Sequence, residues 1–381
     1  MKIAFCLHKY FPYGGQQRDF KRIALACQRR GHQIIVYTFE WQGEKCPGFE
    51  IVIVPKQGSS NHARNHFFSR WIADYRRSHP DDVLVGFNKM AGLDIYFAAD
   101  VCYAAKTAKE KGFFYKLTPR YRSYSQAESA VFSTCSNTEI LVLTPQQQTD
   151  FSKFYQTPAE RFHLLSPGID PQLYSSQQRD SYREKTRQQL GLASDEFFLL
   201  QVGSDFRRKG VKRSLEAIAA LPLSTKDKVT FWVVGADNAV SYRHYAEKLG
   251  IATRVHFHQG RDDIPQLMAA ADLLLHPAHQ EAAGIVLIEA LASGLPVICT
   301  EVCGNAPYLA AAGNGKVIGE PFNQKIFNQT LATSLQNTNQ LALWSQAALA
   351  YCEQHDVYRL PEQAADIIEK RVKDAATRTA F

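Results

Sequence analysis

Several things that would settle the class of this chain at once are missing from it. No apolar run is long and unbroken enough for a membrane-spanning helix. The nearest candidate, 282–300, carries a single charge, but Ser293-Gly294-Leu295-Pro296 breaks any helix midway and Glu289 would sit near the bilayer centre. The apolar stretch of the opening MKIAFCLHKY is too short for a signal peptide. The eight cysteines form no CxxC pair and no disulfide framework, and Cys6 and Cys299 sit in apolar, strand-like runs. That usage points to reduced, buried thiols in a cytoplasmic protein. No D-x-D occurs, so nothing marks a metal chelating a nucleotide diphosphate. No GxxxxGK[ST] occurs, and the one G-x-G, Gly313-Asn314-Gly315, has Ile318 where a dinucleotide fingerprint needs its third glycine. There is no short repeat and no low-complexity segment.

What is present reads as a soluble globular protein. With 381 residues, 45% hydrophobic and 21% charged, the chain is too long for one ordinary core, and two domains are expected. Its net charge of +7 is not evenly spread. Residues 1–170 hold 22 Lys and Arg against 15 Asp and Glu, while 171–381 hold 22 of each. Whatever acidic partner the surplus serves, the N-terminal half meets it.

Short apolar runs alternate with helical patterns twice over. KIAFCL (2–7), IIVYTF (34–39), EIVIVP (50–55), DVLVGF (82–87), DIYFAA (94–99) and EILVLTP (139–145) read as strands, with a glycine loop and an amphipathic helix around 17–30 after the first. FFLLQVG (197–203), VTFWVVG (229–235), VHFHQ (255–259), DLLLHP (272–277) and PVICT (296–300) follow, with helices from about 211 and around 241–249. This pattern predicts parallel sheets in two doubly wound α/β domains, with ligands at the carboxyl ends of the strands. Pro167-Gly168-Ile169-Asp170-Pro171 is the natural linker, which gives 1–168 and 169–360 as domains. The helical stretch from 361 is free to dock on either, a return to the first included.

Four strand-end loops carry the candidate chemistry. In Tyr13-Gly14-Gly15 the paired glycines let backbone N–H groups approach a phosphate or sugar, and Asp19 at the start of the helix is either an acceptor-binding carboxylate or a favourable first-turn charge. In Gly203-Ser204-Asp205-Phe206-Arg207-Arg208-Lys209-Gly210, three consecutive cations suit a diphosphate; the plain alternative is a solvated basic loop. In Gly260-Arg261-Asp262-Asp263, Asp262 or Asp263 is expected to cap the next helix, with Arg261 a further candidate cation. His256 and His258 share one side of their strand, but nothing completes a metal site, which leaves them as packing histidines. In HPAHQEAAGIVLIEALASGLPVICT (276–300) the only charges are Glu281 and Glu289. Burying a carboxylate without partners costs several kcal/mol. Against a core helix with one rim carboxylate stands a reading in which both bind hydroxyls of a ribose or sugar, beside a helix N-terminus near Gly284 that receives an anion.

E-x7-E followed by a G-x-P turn and a strand, with a basic R-K loop upstream and a Gly-Gly loop after the first strand, resembles the retaining GT-B glycosyltransferases of family four. KYFPYGGQQRDF, FNKMAGLDIYFAADVCYA (87–104), QVGSDFRRKG and HPAHQEAAGIVLIEA are similar to the branch of that family that adds glucose to lipopolysaccharide inner-core heptose, over nearly the whole chain. The resemblance implies two Rossmann-like domains facing a central cleft, UDP-glucose as donor, a lipid A–inner core heptose as acceptor, and no cofactor or metal. It assigns Glu289 to the ribose, Arg208 and Lys209 to the diphosphate, and Glu281 with the backbone of Ala282, Ala283, Gly284 and Ile285 to the glucose and β-phosphate. Gly15 would lie against the diphosphate, Asp19 and Asp100 near the transferred sugar or acceptor, and Gly14, Ser204 and Arg261 among the substrate-binding groups. Ala282-Ala283 stands where the wider family has Gly-Phe, and Arg207 is an extra cation without a role. The rival readings are a UDP-sugar epimerase or hydrolase of the same fold, and a non-catalytic protein that binds anionic surfaces.

The surplus charge has one conspicuous home. Lys106, Lys109, Lys111, Lys116, Arg120 and Arg122 interleave with Tyr103, Phe113, Phe114, Tyr115, Tyr121 and Tyr124, opposed by Glu110 alone. No RNA- or DNA-binding motif accompanies them, so no nucleic acid is expected. The stretch 103–124 is either a solvated helical region with a packed aromatic face or a contact with the anionic inner membrane, and the resemblance to enzymes held peripherally on its cytoplasmic face favours the second.

Overall fold

The computed structural model describes residues 1–12 and 14–379, without the side chains of Glu110, Phe113 and 374–379. Tyr13 of the first glycine loop, and the Glu110 and Phe113 side chains of the 103–124 stretch, lie outside what is described. The chain divides into two compact units, Met1–Gly168 with Arg359–Phe381, and Ile169–Tyr358.

The first unit runs β1 (Lys2–Cys6), β2 (Lys9–Tyr10), α1 (Gly15–Arg29), β3 (Gln33–Thr38), β4 (Glu40–Trp41), β5 (Phe49–Ile53) and α2 (Asn61–Ser78). β6 (Val83–Gly86), β7 (Ile95–Ala98), α3 (Tyr103–Glu110), a 3-10 turn (Phe113–Leu117) and α4 (Pro119–Phe132) follow. It continues through β8 (Glu139–Val142), α5 (Pro145–Tyr155) and β9 (Phe162–Leu164). The second unit opens with α6 (Ser176–Gln189), β10 (Phe197–Val202), α7 (Val211–Ala219), α8 (Leu223–Lys226), β11 (Val229–Val234), α9 (Val240–Lys248) and β12 (Val255–His258). It closes with α10 (Ile264–Ala270), β13 (Leu273–His276), α11 (Ile285–Ala292), β14 (Val297–Thr300), α12 (Ala306–Ala312), β15 (Gly315–Ile318), α13 (Gln324–Gln336) and α14 (Thr338–Gln354). The last helix, α15 (Leu360–Thr379), belongs to the first unit and packs along α1.

Both main sheets are parallel throughout. Their strand orders are β5-β3-β1-β6-β7-β8-β9 and β12-β11-β10-β13-β14-β15. Each sheet is covered on both faces, which is why its strands are apolar runs without alternation. Along β1, Ile3 and Phe5 join Phe20, Phe87 and Phe97 in one core, while Ala4 and Cys6 join Tyr37, Phe68, Tyr96 and Phe132 in the other. Along β10, Phe198 and Leu200 face one core and Leu199 the other. Strand order reverses between β1 and β6 in the first sheet and between β10 and β13 in the second. These two switch points are where an open α/β sheet leaves a crevice for a ligand.

Candidate active site

The loops that leave β10 and β13 flank the switch point of the second sheet. The β10 loop turns at Gly203 (φ +137) and Asp205 (φ 63), buries Phe206, and enters α7 through Gly210. Gly210 is required by proximity: a Cβ there would stand 1.9 Å from the Pro277 carbonyl oxygen of the β13 loop. The two loops are joined by the Arg208 carbonyl, which accepts from the His279 amide at 2.8 Å. The Lys209 carbonyl accepts from the Gln201 side chain, also at 2.8 Å.

That clamp brings Arg208 and Lys209 onto Glu281. Lys209 Nζ makes a close ion pair with Glu281 Oε2, and Arg208 donates to the same oxygen at 3.0 Å and to the Gln280 carbonyl at 3.2 Å. His276, fully buried at the end of β13, holds its Nε2 3.7 Å from that oxygen. At this distance the contact is electrostatic rather than a hydrogen bond. Burial pushes the Glu281 carboxyl up, but His276, Lys209 and Arg208 together outweigh it and hold the group well below the usual carboxylate range. Two cations therefore converge on one carboxylate at the mouth of the crevice.

Glu281 is followed by Ala282 and Ala283 and then by Gly284, whose φ of +78 turns the chain into α11. No side chain caps α11; the Leu287 amide donates back to the Gly284 carbonyl at 3.0 Å, and the Ile285 and Val286 amides are left to a ligand or to water. The carbonyl of Ala283 accepts from the Asn305 amide at 2.8 Å, which fixes the turn. Glu289, fifth in α11, is 4% exposed. Ser204 lies at the start of the β10 loop, its hydroxyl accepting from the Ala236 amide at 3.2 Å.

Arg261 is not gathered into this cluster. It grips Asp263 with two hydrogen bonds of 2.7 and 2.6 Å and lies over the Trp232 ring. Asp263 does occupy the N-cap position of α10, but its carboxylate serves Arg261 instead of a helix N–H, so the expected cap is not made. Asp262 makes none either. His258 packs against Trp232 with ring centroids 4.0 Å apart, and among the described residues no group of His, Cys, Asp or Glu has the arrangement of a metal site.

In the first unit, Gly14 is the N-cap of α1 and Gly15 its first residue. Space differs sharply between them. A Cβ on Gly14 would meet Gln17 Oε1 at 1.9 Å, whereas Gly15 has nothing within 4 Å and leaves its backbone open to a ligand. The helix begins earlier than its sequence pattern indicated, so Asp19, half-buried, lies in the second turn of α1 and not at its start. Asp100 is exposed in the loop after β7 and lines a cavity of about 650 Å³. A cavity of about 1080 Å³ in the second unit lies among Arg183, Arg187 and Asp272 at the amino ends of the strands. Those charges already satisfy one another, with contacts of 2.6 and 3.0 Å, and it is not the site.

A family profile described as glycosyl transferases group 1 matches residues 182–350, the greater part of the second unit. The lipopolysaccharide glucosyltransferase WaaG of Escherichia coli (strain K12) is 51% identical over 368 residues, covering 97% of this chain and 98% of that protein. The chain belongs to the WaaG family of glycosyltransferases. The crystal structure of WaaG, a glycosyltransferase involved in lipopolysaccharide biosynthesis, matches with a TM-score of 0.94 at 51% identity, over 96% of this chain and 99% of that one. Anabaena HepE in complex with UDP-glucose matches with a TM-score of 0.72 at 22% identity, over 97% of this chain and 100% of that one, a likeness of GT-B fold alone. The two parallel-sheet α/β units are those of a GT-B glycosyltransferase. His276 is the group at the centre of this WaaG-family site that sequence reasoning passed over. Its place as the last residue of an apolar strand, five before Glu281, was the available signal.

Proposed function

We propose that this enzyme transfers glucose from UDP-glucose to an inner-core heptose of lipopolysaccharide, with retention at the anomeric carbon. The observation that carries the reading is the convergence of Arg208 and Lys209 on one carboxylate beside the uncapped N-terminus of α11, in a chain 51% identical to WaaG. A diphosphate would take over the two cations that Glu281 now neutralises, and the α11 amides would meet its remaining charge. Glu289 would accept from the ribose hydroxyls, and Glu281, released from the cations, from the glucose. As the anomeric bond breaks, charge grows on the leaving diphosphate, where Arg208, Lys209 and the helix N-terminus stabilise it. Front-face attack, with that diphosphate taking the acceptor's proton, needs no carboxylate nucleophile.

In this reading 169–360 is the nucleotide-sugar domain and 1–168 the acceptor domain, with Gly15 serving the diphosphate and Asp19 and Asp100 near the transferred sugar or acceptor. The 103–124 stretch would bring the enzyme to the cytoplasmic face of the inner membrane. Among the described residues no helix is long and apolar enough to cross a membrane. On that stretch Phe114 is 82% exposed and Leu117 55%, among exposed Lys109, Lys111, Lys116, Arg120 and Arg122. Apolar side chains held in water beside cations suit an anionic headgroup layer. The decisive experiment is a donor and acceptor screen. UDP release should depend on both UDP-glucose and a heptose-terminated inner core, whereas release without acceptor, or equal use of UDP-galactose, would overturn the assignment. Replacing Lys111, Lys116, Arg120 and Arg122 with Gln should abolish co-sedimentation with anionic vesicles and spare UDP binding; unchanged sedimentation would remove this stretch as the membrane contact.

A further inference from the structure

The cavity that Asp100 lines belongs wholly to the first unit and occupies that unit's own switch point. Its floor is made by residues just past the carboxyl ends of three adjacent strands, His8 after β1, Asn88 after β6 and Asp100 after β7. Its walls come from α2, α3 and α4. That is the position at which open α/β sheets bind their ligands.

The chemistry of the walls narrows the ligand. Four cations line the cavity, but Lys89 is already spent on the buried Glu128 carboxylate. The other three, Arg70 of α2, Lys106 of α3 and Arg120 of α4, make no ion pair among the described residues, and Asp100 is the only acid in the wall. Cations on one helix face are ordinarily just solvated. Cations from three separate helices converging on one concavity, with a single carboxylate against the three, are an electrostatic trap for an anion. Between them stand Asn65, Ser123 and Tyr124, the amide, hydroxyl and ring groups that meet sugar hydroxyls and sugar faces. His8 adds no charge, since burial holds its imidazole down to about 4 and hence neutral.

We propose that this cavity is a subsite for an acidic sugar of the acceptor, one bearing a carboxylate or a phosphate, which Arg70, Lys106 and Arg120 hold while Asn65, Asn88 and Tyr124 meet its ring. The inference rests on the glycosyl-transfer reading for the word acceptor, but not for the binding itself. Selection of an acidic saccharide would add specificity that neutral hydroxyl contacts supply poorly, because only the charged sugar gains charge-assisted contacts with these cations.

The test uses the full-length protein at low ionic strength, with glucuronic acid, glucose 6-phosphate, glucose and inorganic phosphate as probes in saturation-transfer NMR. One or both acidic sugars should bind, more weakly as salt rises, and glucose about tenfold or more less tightly, the loss of one charge-assisted contact. The tighter of the two acids identifies the group, carboxylate or phosphate. Arg70→Gln and Arg120→Gln should each weaken the acidic sugar by a similar factor and leave UDP affinity unchanged. Equal binding of glucose, or binding of inorganic phosphate as tight as that of the sugar acid, would overturn the proposal. Arg70 lies outside 103–124, so Arg70→Gln should still sediment with anionic vesicles; its release would assign these cations to a lipid surface instead. Failure of the wild type to bind UDP would sink the glycosyl-transfer reading, while the sugar-acid result would stand or fall separately.

Discussion

Lys209 is 8% exposed, and an ammonium so enclosed needs a counter-charge that stays with it. In the ligand-free protein that partner is Glu281, and a donor diphosphate must replace it. Lys209→Ala should therefore weaken UDP by about 1.5–3 kcal/mol, and Arg208→Ala by somewhat less because it is more exposed. Unchanged calorimetric affinity in both would remove the clamp. The glutamates should separate: Glu289→Ala weakens UDP and UDP-glucose alike, since ribose is common to both, whereas Glu281→Gln spares or tightens UDP and damages transfer. The same loss for both ligands in both variants would contradict this division. A pH effect follows from His8, which packs between Phe39 and Phe68. Its folded-state pKa, about 4, lies below its ordinary value, so the unfolded chain takes the proton first as pH falls. Stability should drop between about pH 6.5 and pH 4 by about 2–3 kcal/mol more in the wild type than in His8→Phe, measured by denaturant midpoints. Parallel pH profiles would refute it.

At the scale of elements, what could be read in the sequence was what burial writes there. FFLLQV and VTFWVV announce doubly covered strands because nearly every side chain enters a core. Helix α2 left almost no trace, since only Phe68 and Ile72 of NHARNHFFSRWIADYRRS are buried, and α6 left less, with Thr186 alone. β15 is four residues long and starts at Gly315, whose φ of +141 suits glycine. The loops at the site were legible as loops, but the pairings across them were not. Arg261 is taken by a neighbour two residues away, whereas Arg208 and Lys209 meet a carboxylate more than seventy residues on, which only the sheet order brings near. A second such long-range pairing holds α3. The buried Glu128 carboxylate of α4 accepts from the Tyr103 and Ala104 amides at 2.8 and 2.9 Å and from the Tyr155 hydroxyl at 2.7 Å, and it pairs with Lys89. It serves as the N-cap that Cys102 cannot supply. Glu128→Ala strands Lys89 and should cost about 3–5 kcal/mol. Hydrogen exchange should then show 103–110 opening first; full protection there would show that α3 holds itself.

At the scale of the whole molecule, the chain leaves its first unit at Gly168 and returns to it only at Arg359. Residue 361 onward could not be assigned to a unit from the sequence, because its apolar positions would suit any helix-covered sheet. The destination is decided by complementary charge and small residues. Arg29 and Arg30 of α1 and its C-cap, with His32 beyond, meet Glu362, Asp366 and Glu369 of α15 at 2.7–2.8 Å. Beneath them Ala364, Ala365 and Ile368, all fully buried, pack with Ile23, Ala24 and Cys27. The ion pairs at the rim, Arg29 with Glu362 the most exposed, contribute little each, and the apolar seam carries the docking. Ile368→Ala should accordingly destabilise the first unit by about 2–5 kcal/mol, and Arg29→Ala by under about 1. Native-state hydrogen exchange locates the effect. Protection should fall across 15–29 and 360–372 and stay unchanged in 197–202 and 229–234, with UDP affinity intact. If the second unit loosened to the same degree, the two units would unfold as one, and α15 would be a staple for the whole chain and not for its first half.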